Sequence, residues 1–223
     1  MRHLIILLGG LLLAASAHAL SLADLSQRDA GGGLKDALSQ GAKVAVQQLG
    51  RPRGFSGDPA LRIELPGNLG KASRMLKMAG MGSQIEQLES SMNQAAEAAV
   101  PHAQQLLLDA VRNMSVADAK AILAGGNDSA TQYLNTSSRE QIRAKFLPIV
   151  KQATDQVGLA QQYNALASKV PGSLGSSYAN IEGYVTEQAL DGLFSVIAKQ
   201  EAGIRQNPAA AATSLAKKVF GVL

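Results

Sequence analysis

Between residues 83 and 220 apolar side chains return at intervals of three and four, and only a helix lines up residues so spaced along one face. Ile85, Leu88, Met92, Ala95, Ala96 and Ala99 make the first stripe. Ala103, Leu106, Leu107, Ala110, Val111 and Met114 make a second, with His102, Gln105, Asp109 and Arg112 on the opposite, solvent side. Pro101 stands between them, and because proline is tolerated in a first turn but not in an interior, a break or restart is expected there. A third stripe, Ile142, Phe146, Ile149, Val150, Ala153 and Val157, contains Pro148, where a kink or break is expected. The last long helix should run from about Asn180 to Gln206, turning Ile181, Tyr184, Val185, Leu190, Leu193, Phe194, Ile197 and Ile204 inward. Asn207 and Pro208 stop it, and Ala209 to Phe220 reads as a C-terminal helix.

Local signals refine this outline. "SVAD", Ser115 to Asp118, and "SSRE", Ser137 to Glu140, have the spacing of a capping box, so each should open a helix. Gly33 to Leu49 reads as a helix following a flexible triple glycine. From Gly50 to Pro66 the helical pattern fails. "LRIEL" alternates as a strand does, but a lone strand cannot form a stable sheet. Residues 54–66 are therefore expected to be an extended connection packed on helices, with a small hairpin as the alternative. The expected fold is all-α, an irregular multi-helix bundle in which residues 20–223 form one helical domain, with seams near Pro66 or along Pro171 to Ser177.

Arg2 and His3, the apolar block Leu4 to Leu13 and the Ala17-His18-Ala19 site have the order of a secretory signal peptide, residues 1–19. The block is shorter than the ~20 apolar residues that span a bilayer. A periplasmic or secreted chain starting at Leu20 is expected, and a retained amphipathic anchor is the alternative. Cleavage would remove two of the 3 histidines, leaving His102, and the chain holds 0 cysteines. That excludes a disulfide, a thiolate nucleophile, a Cys/His zinc site and a lipoprotein anchor, and the fold depends on its core. Basic residues concentrate between Arg28 and Lys77 and acidic ones between Met78 and Gln141. The first segment is suited to an anionic surface, although an ordinary solvated face has the same composition. Nucleic acid is a poor partner for an exported chain with 4% aromatic residues.

Candidate sites are few. "LAGGNDSATQYL", Leu123 to Leu134, lacks the lysine of a phosphate loop and the alternating carboxylates of a calcium loop, so it reads as a helix corner. Gly125 or Gly126 would take a left-handed conformation at a helix end, and Asn127 or Asp128 would cap the next helix. His102 falls on the outer face. Glu86, Glu89 and Glu97 share one helix as a metal set or, more simply, as a solvated face. Glu201 and Arg205 have salt-bridge spacing. Met75, Met78 and Met81 read as core filling rather than as a binding groove.

In order along the chain, "GLKDAL" (Gly33 to Leu38), "RIELP" (Arg62 to Pro66), "SMNQAAEAAVP" (Ser91 to Pro101), "DAKAILAGGNDSATQYL" (Asp118 to Leu134), "FLP" (Phe146 to Pro148), "ALDGLF" (Ala189 to Phe194), "IRQNP" (Ile204 to Pro208) and "KKVFG" (Lys217 to Gly221) resemble the bacterial domain of unknown function 4197 family. The resemblance implies an exported, largely helical protein without an assigned activity, cofactor or catalytic residue. Two functional expectations follow. The first is a non-enzymatic envelope protein binding a partner or an apolar ligand in a groove between helices, with Asn93, Glu97, Tyr133, Glu201 and Arg205 as the binding candidates and no metal or cofactor. The second is a metal-independent hydrolase of the cell envelope using carboxylates and tyrosines.

Overall fold

The computed structural model describes residues 21–170 and 180–223. The expected signal segment, residues 1–19, and the seam Pro171 to Ser177 lie outside them. The described residues form α-helices and connecting turns, with no strand among them. The helices are α1 (Gln27–Leu49), α2 (Gly67–Leu76), α3 (Gly82–Asn113), α4 (Ala119–Leu123), α5 (Ser129–Gln156), α6 (Leu159–Ala167), α7 (Ile181–Gln206) and α8 (Ser214–Phe220), and a π turn, Lys77–Met81, joins α2 to α3. The all-α, multi-helix bundle expected from the periodicity is what the chain forms.

Helices α1, α3, α5 and α7 carry the bundle: α3 packs on α5 and α1, and α7 packs on α1 and α5. Their buried faces are the expected stripes. Ile85, Met92, Ala95, Ala96, Ala103, Leu107 and Val111 of α3 are fully buried, as are Val185, Leu190, Leu193 and Ile197 of α7. One apolar cluster runs from Leu25 to Phe220. His102 is exposed, as its place opposite the stripe requires. The last long helix starts where expected, and Asn180 caps it, its side chain accepting from the Gly183 N–H at 2.7 Å. Thr213 caps α8 in the same way, with Ala216 at 3.0 Å.

Neither proline ends a helix. Pro101 lies inside α3 and Pro148 inside α5. Both rings are exposed, while the apolar residues before and after each lie on the same core. Interior proline costs ~3 kcal/mol or more, and the burial of both flanking half-stripes in one register outweighs it. The two stripes of α3 are one.

The capping boxes at Ser115 and Ser137 also do not form. Asp118, not Ser115, occupies the cap of α4, and it makes no side-chain cap bond. Ser137 sits in the middle of α5, its Oγ donating to the Tyr133 carbonyl at 2.7 Å. Serine in a helix interior satisfies its hydroxyl in this way on the preceding turn.

The triple glycine is helical rather than flexible, because α1 begins at Gln27, with the Ser26 side chain as its cap. Its purpose is close approach. A Cβ at Gly31 would stand 2.6 Å from Val116, one at Gly32 2.8 Å from Leu215, and one at Gly33 2.6 Å from Val219. The glycines let α8 and the start of α4 lie directly on α1.

Candidate functional site

The stretch Leu123 to Leu134 is a corner between α4 and α5, but it is built differently from expectation. Neither Gly125 nor Gly126 has a positive φ. Asp128 holds the cap position of α5 without a cap bond, and its carboxylate accepts from Gln132 Nε2 at 2.9 Å instead. The capping comes from α7. Glu201, 2% exposed, accepts from the backbone N–H of Ala130 at 3.0 Å and of Thr131 at 2.8 Å, and from the Thr131 hydroxyl at 2.7 Å. These are first-turn amides of α5 that no backbone carbonyl can serve. Arg205, one turn further along α7, does the converse for α4. Its Nη1 donates to the Leu123 carbonyl at 2.8 Å and its Nη2 to Ser129 Oγ at 2.8 Å, while Nε and Nη2 reach Glu201 Oε1 at 3.0 and 2.9 Å. The guanidinium also lies over the Phe220 ring, 5.5 Å from its centroid.

Asn93 and Glu97 face a second segment. Asn93, 1% exposed, accepts from the Ile63 N–H at 3.0 Å and donates to the Ile63 carbonyl at 2.9 Å. The carboxamide pairs with Ile63 as a neighbouring strand would. Glu97 accepts from the backbone N–H groups of Arg53 at 3.0 Å, Phe55 at 3.1 Å and Ser56 at 3.5 Å. Arg53 has φ +63°, which turns successive amides toward one anion. The loop then drives the Phe55 ring into the core against Gly192 of α7, where a Cβ would be 2.6 Å from it. Residues 54–61 are a run of tight turns rather than the expected extended chain, with the Gly57 N–H bonding the Arg53 carbonyl at 3.0 Å and the Arg62 N–H the Asp58 carbonyl at 2.9 Å. Only residues 62–66 are free of turns; α3 holds the connection and the hairpin alternative does not occur.

Tyr133 lies elsewhere. It is 37% exposed and borders a groove of about 320 Å³ between α3 and α5. On α5, Tyr133, Ser137, Gln141 and Lys145 follow one another at four-residue spacing; Leu106 and Ala110 of α3 and Met114, the residue just past its end, do the same. Two such ridges meet with a gap between them because Ser137 and Ala110 are short. Ile142 closes the apolar floor, Asp109 is paired with Arg112 at 2.7 Å, and Lys145 has no ion-pair partner among the described residues.

The five sequence candidates therefore occupy three places rather than one cleft. Asn93 with Glu97 orders a loop, Glu201 with Arg205 closes a corner, and Tyr133 alone lines the groove. The groove's other residues were not sequence candidates for binding: Leu106, Ala110, Met114 and Ile142 read as core stripe and Ser115 and Ser137 as caps.

Further charged groups are placed by packing. Arg139 on α5 bonds Glu187 at 2.6 Å and Asp191 at 2.7 Å on α7, and Arg143 also pairs with Glu187. Burial pushes the Glu187 carboxyl up, but the two arginines outweigh it and hold it below its ordinary value. Glu89 goes the other way. Burial raises its carboxyl above the ordinary value, Glu64 adds to the rise, and Lys77 opposes it. Glu86 is exposed and Glu97 turns to the loop, so the three glutamates of α3 do not converge. Among the described residues no three His, Cys, Asp or Glu side chains come together as a metal set would. Met75 and Met78, expected in the core, are 44% and 78% exposed. Met75 lies on the face of α2 opposite its buried Leu69, Ala72 and Leu76, Met78 lies in the π turn, and only Met81 packs partly on the core.

Fold and site together define an all-α protein whose buried acids serve its own backbone and whose open concavity lies between two long helices. The chain belongs to the family described as "Protein of unknown function (DUF4197)", whose model matches residues 24–221. No curated protein and no solved structure matches it.

Proposed function

We propose that the chain is a non-enzymatic binding protein that holds an apolar ligand bearing one anionic group in the groove between α3 and α5. The observation that carries this reading is the groove itself. Its floor of Leu106, Ala110, Met114 and Ile142 is apolar, its volume of about 320 Å³ falls within the range of small-molecule sites, and the unpaired Lys145 ammonium stands at its rim. An apolar body gains by leaving water on such a floor, and a carboxylate or sulfonate gains by meeting the lysine.

The hydrolase alternative has less support. Glu97 and Glu201 already accept two or more backbone N–H groups each, and the Tyr184 hydroxyl donates to the Glu64 carbonyl at 2.9 Å. Export to the periplasm is part of the proposal and rests on the charged start, apolar block and small-residue site of residues 1–19. No helix among the described residues is long and apolar enough to cross a membrane.

Titration with 1-anilinonaphthalene-8-sulfonate, an apolar anion, tests the groove. Saturable binding to the parent chain is expected. Ser137→Trp, which fills the gap, should abolish it and Lys145→Gln should weaken it. Binding that is unchanged by both substitutions would overturn the reading.

A further inference from the structure

The end of the molecule formed by α2 and the π turn carries a surface that the groove does not use. Leu69, Ala72 and Leu76 bury one face of α2. Lys71, Arg74, Met75 and Met78 follow the i, i+3, i+4, i+7 spacing of the opposite face, and all four are exposed. Lys77 and the tip residue Gly80 are exposed beside them. Gly80 has φ +81° with nothing within 4 Å of its Cβ position, so the tip projects into open space.

Exposed thioethers on a projecting turn are unusual. Met75 and Met78 are two of the four large exposed apolar residues among those described, and here they alternate with cations. Among the described residues no carboxylate lies within ion-pair distance of Lys71, Arg74 or Lys77. The acids nearest along α3 are Glu86, which is exposed, and Glu89, which is half-buried; Glu89 and Glu64 line one pocket together with Lys71, outside ion-pair distance of it, and Glu89 attracts Lys77 only at longer range. The outward face is therefore cationic and apolar at once.

We propose that this tip docks on an anionic lipid surface. Met75 and Met78 enter the boundary between headgroups and acyl chains, and Lys71, Arg74 and Lys77 meet the lipid phosphates. Flexible apolar side chains and flanking cations are the two contributions that peripheral attachment requires, and neither suffices alone. The surface is distinct from the α3–α5 groove, so either assignment stands if the other fails.

Co-sedimentation of the full chain with vesicles of phosphatidylcholine containing about 30% phosphatidylglycerol tests it. Residues 1–19 are common to parent and variants, so differences between them read the tip. Each cation brought to an anionic leaflet is worth roughly fivefold in affinity. The Lys71→Gln, Arg74→Gln, Lys77→Gln triple variant should thus bind about 100-fold more weakly. Met75→Ser with Met78→Ser should lose about tenfold or more. Both sets are at exposed positions and should keep the parent's melting temperature. Salt of about 1 M, where the Debye length is about 3 Å, should release most of the parent chain. Undiminished binding in both variant sets would overturn the proposal. So would a dimer seen by sedimentation velocity without vesicles and lost in the methionine variant, which would assign the tip to a second copy.

Discussion

Arg205 and Glu201, one turn apart on α7, divide the corner between α4 and α5 by charge: the carboxylate takes the free amides that open α5, and the guanidinium takes the free carbonyls that close α4. They are 8% and 2% exposed at the side chain and bond each other at 2.9 Å. A buried pair of this kind is weak by comparison with an apolar substitute, but breaking it strands one charge and costs about 3–5 kcal/mol.

Arg205→Met should therefore destabilise the chain by roughly that 3–5 kcal/mol. Adding Glu201→Gln should cost less than the sum of the two single changes, because the stranded charge is then gone. Urea denaturation midpoints of the two single variants and the double variant measure the coupling. Additive losses would mean that the pair does not act as a unit.

Asp128→Ala, by contrast, should change stability by no more than about 0.5 kcal/mol. The cap position is Asp128, but the capping oxygens belong to Glu201. A loss near 1 kcal/mol, the ordinary effect of removing a cap, would return that role to Asp128.

In the triple glycine the sign of Gly→Ala separates packing from propensity. Alanine is favoured over glycine inside a helix by about 1 kcal/mol. At Gly33 the new methyl would stand 2.6 Å from Val219, a fully buried β-branched side chain, so overpacking should prevail and Gly33→Ala should lower the melting temperature. At Gly32 the obstacle is the far end of the half-buried Leu215 side chain, 2.8 Å away, which can turn aside. Gly32→Ala should be the milder change. Equal melting temperatures for both variants would show that α8 does not hold to α1 as described.

The Glu89 carboxyl is raised from 4.5, chiefly by burial. The folded chain then binds this proton more tightly than the unfolded chain does, so its contribution is full in acid and is lost as the pH rises from the ordinary value through the raised one. Glu89→Gln should match the parent at acidic pH and exceed it in stability at neutral pH. A variant equally stable at both ends of the range would remove Glu89 from the account.

Core truncations give the reference scale. Leu107→Ala and Phe194→Ala, at 0% and 5% exposure, should each cost about 2–5 kcal/mol in equilibrium unfolding. Unchanged midpoints would mean that α3 or α7 presents another face to the core.

The helices were legible because burial repeats: every stripe from Ile85 to Ile204 rests on one rule of spacing, and the bundle followed it. The exceptions were local signals that distant residues override. Pro101 and Pro148 carry the mark of a break, yet the core on either side of each continues. Ser115 and Ser137 carry the mark of a cap, yet the α5 amides find Glu201, a residue 70 positions away in sequence from Thr131. No spacing rule connects those two. The Glu201–Arg205 pairing was legible from its four-residue spacing, whereas the loop contacts of Asn93 and Glu97 were not, because which backbone segment a side chain meets depends on how whole helices cross. Met75 and Met78 fail for a related reason. Hydrophobicity alone does not reveal that Met75 will fall on the outer face of α2 or that Met78 will fall in a π turn.

The Gly50 to Pro66 segment has no neighbouring strand, and its amides at Arg53, Phe55 and Ile63 find acceptors on Glu97 and Asn93, two side chains of a single buried helix face. Their solvent exchange then has no independent clock. To free the Ile63 proton, the carboxamide of Asn93 must withdraw from a site where it also donates to the Glu89 carbonyl at 2.7 Å, so opening the loop and loosening the middle of α3 are one event. A stretch that looks like surface connection by its irregular backbone should keep its deuterium as slowly as the helix beneath it.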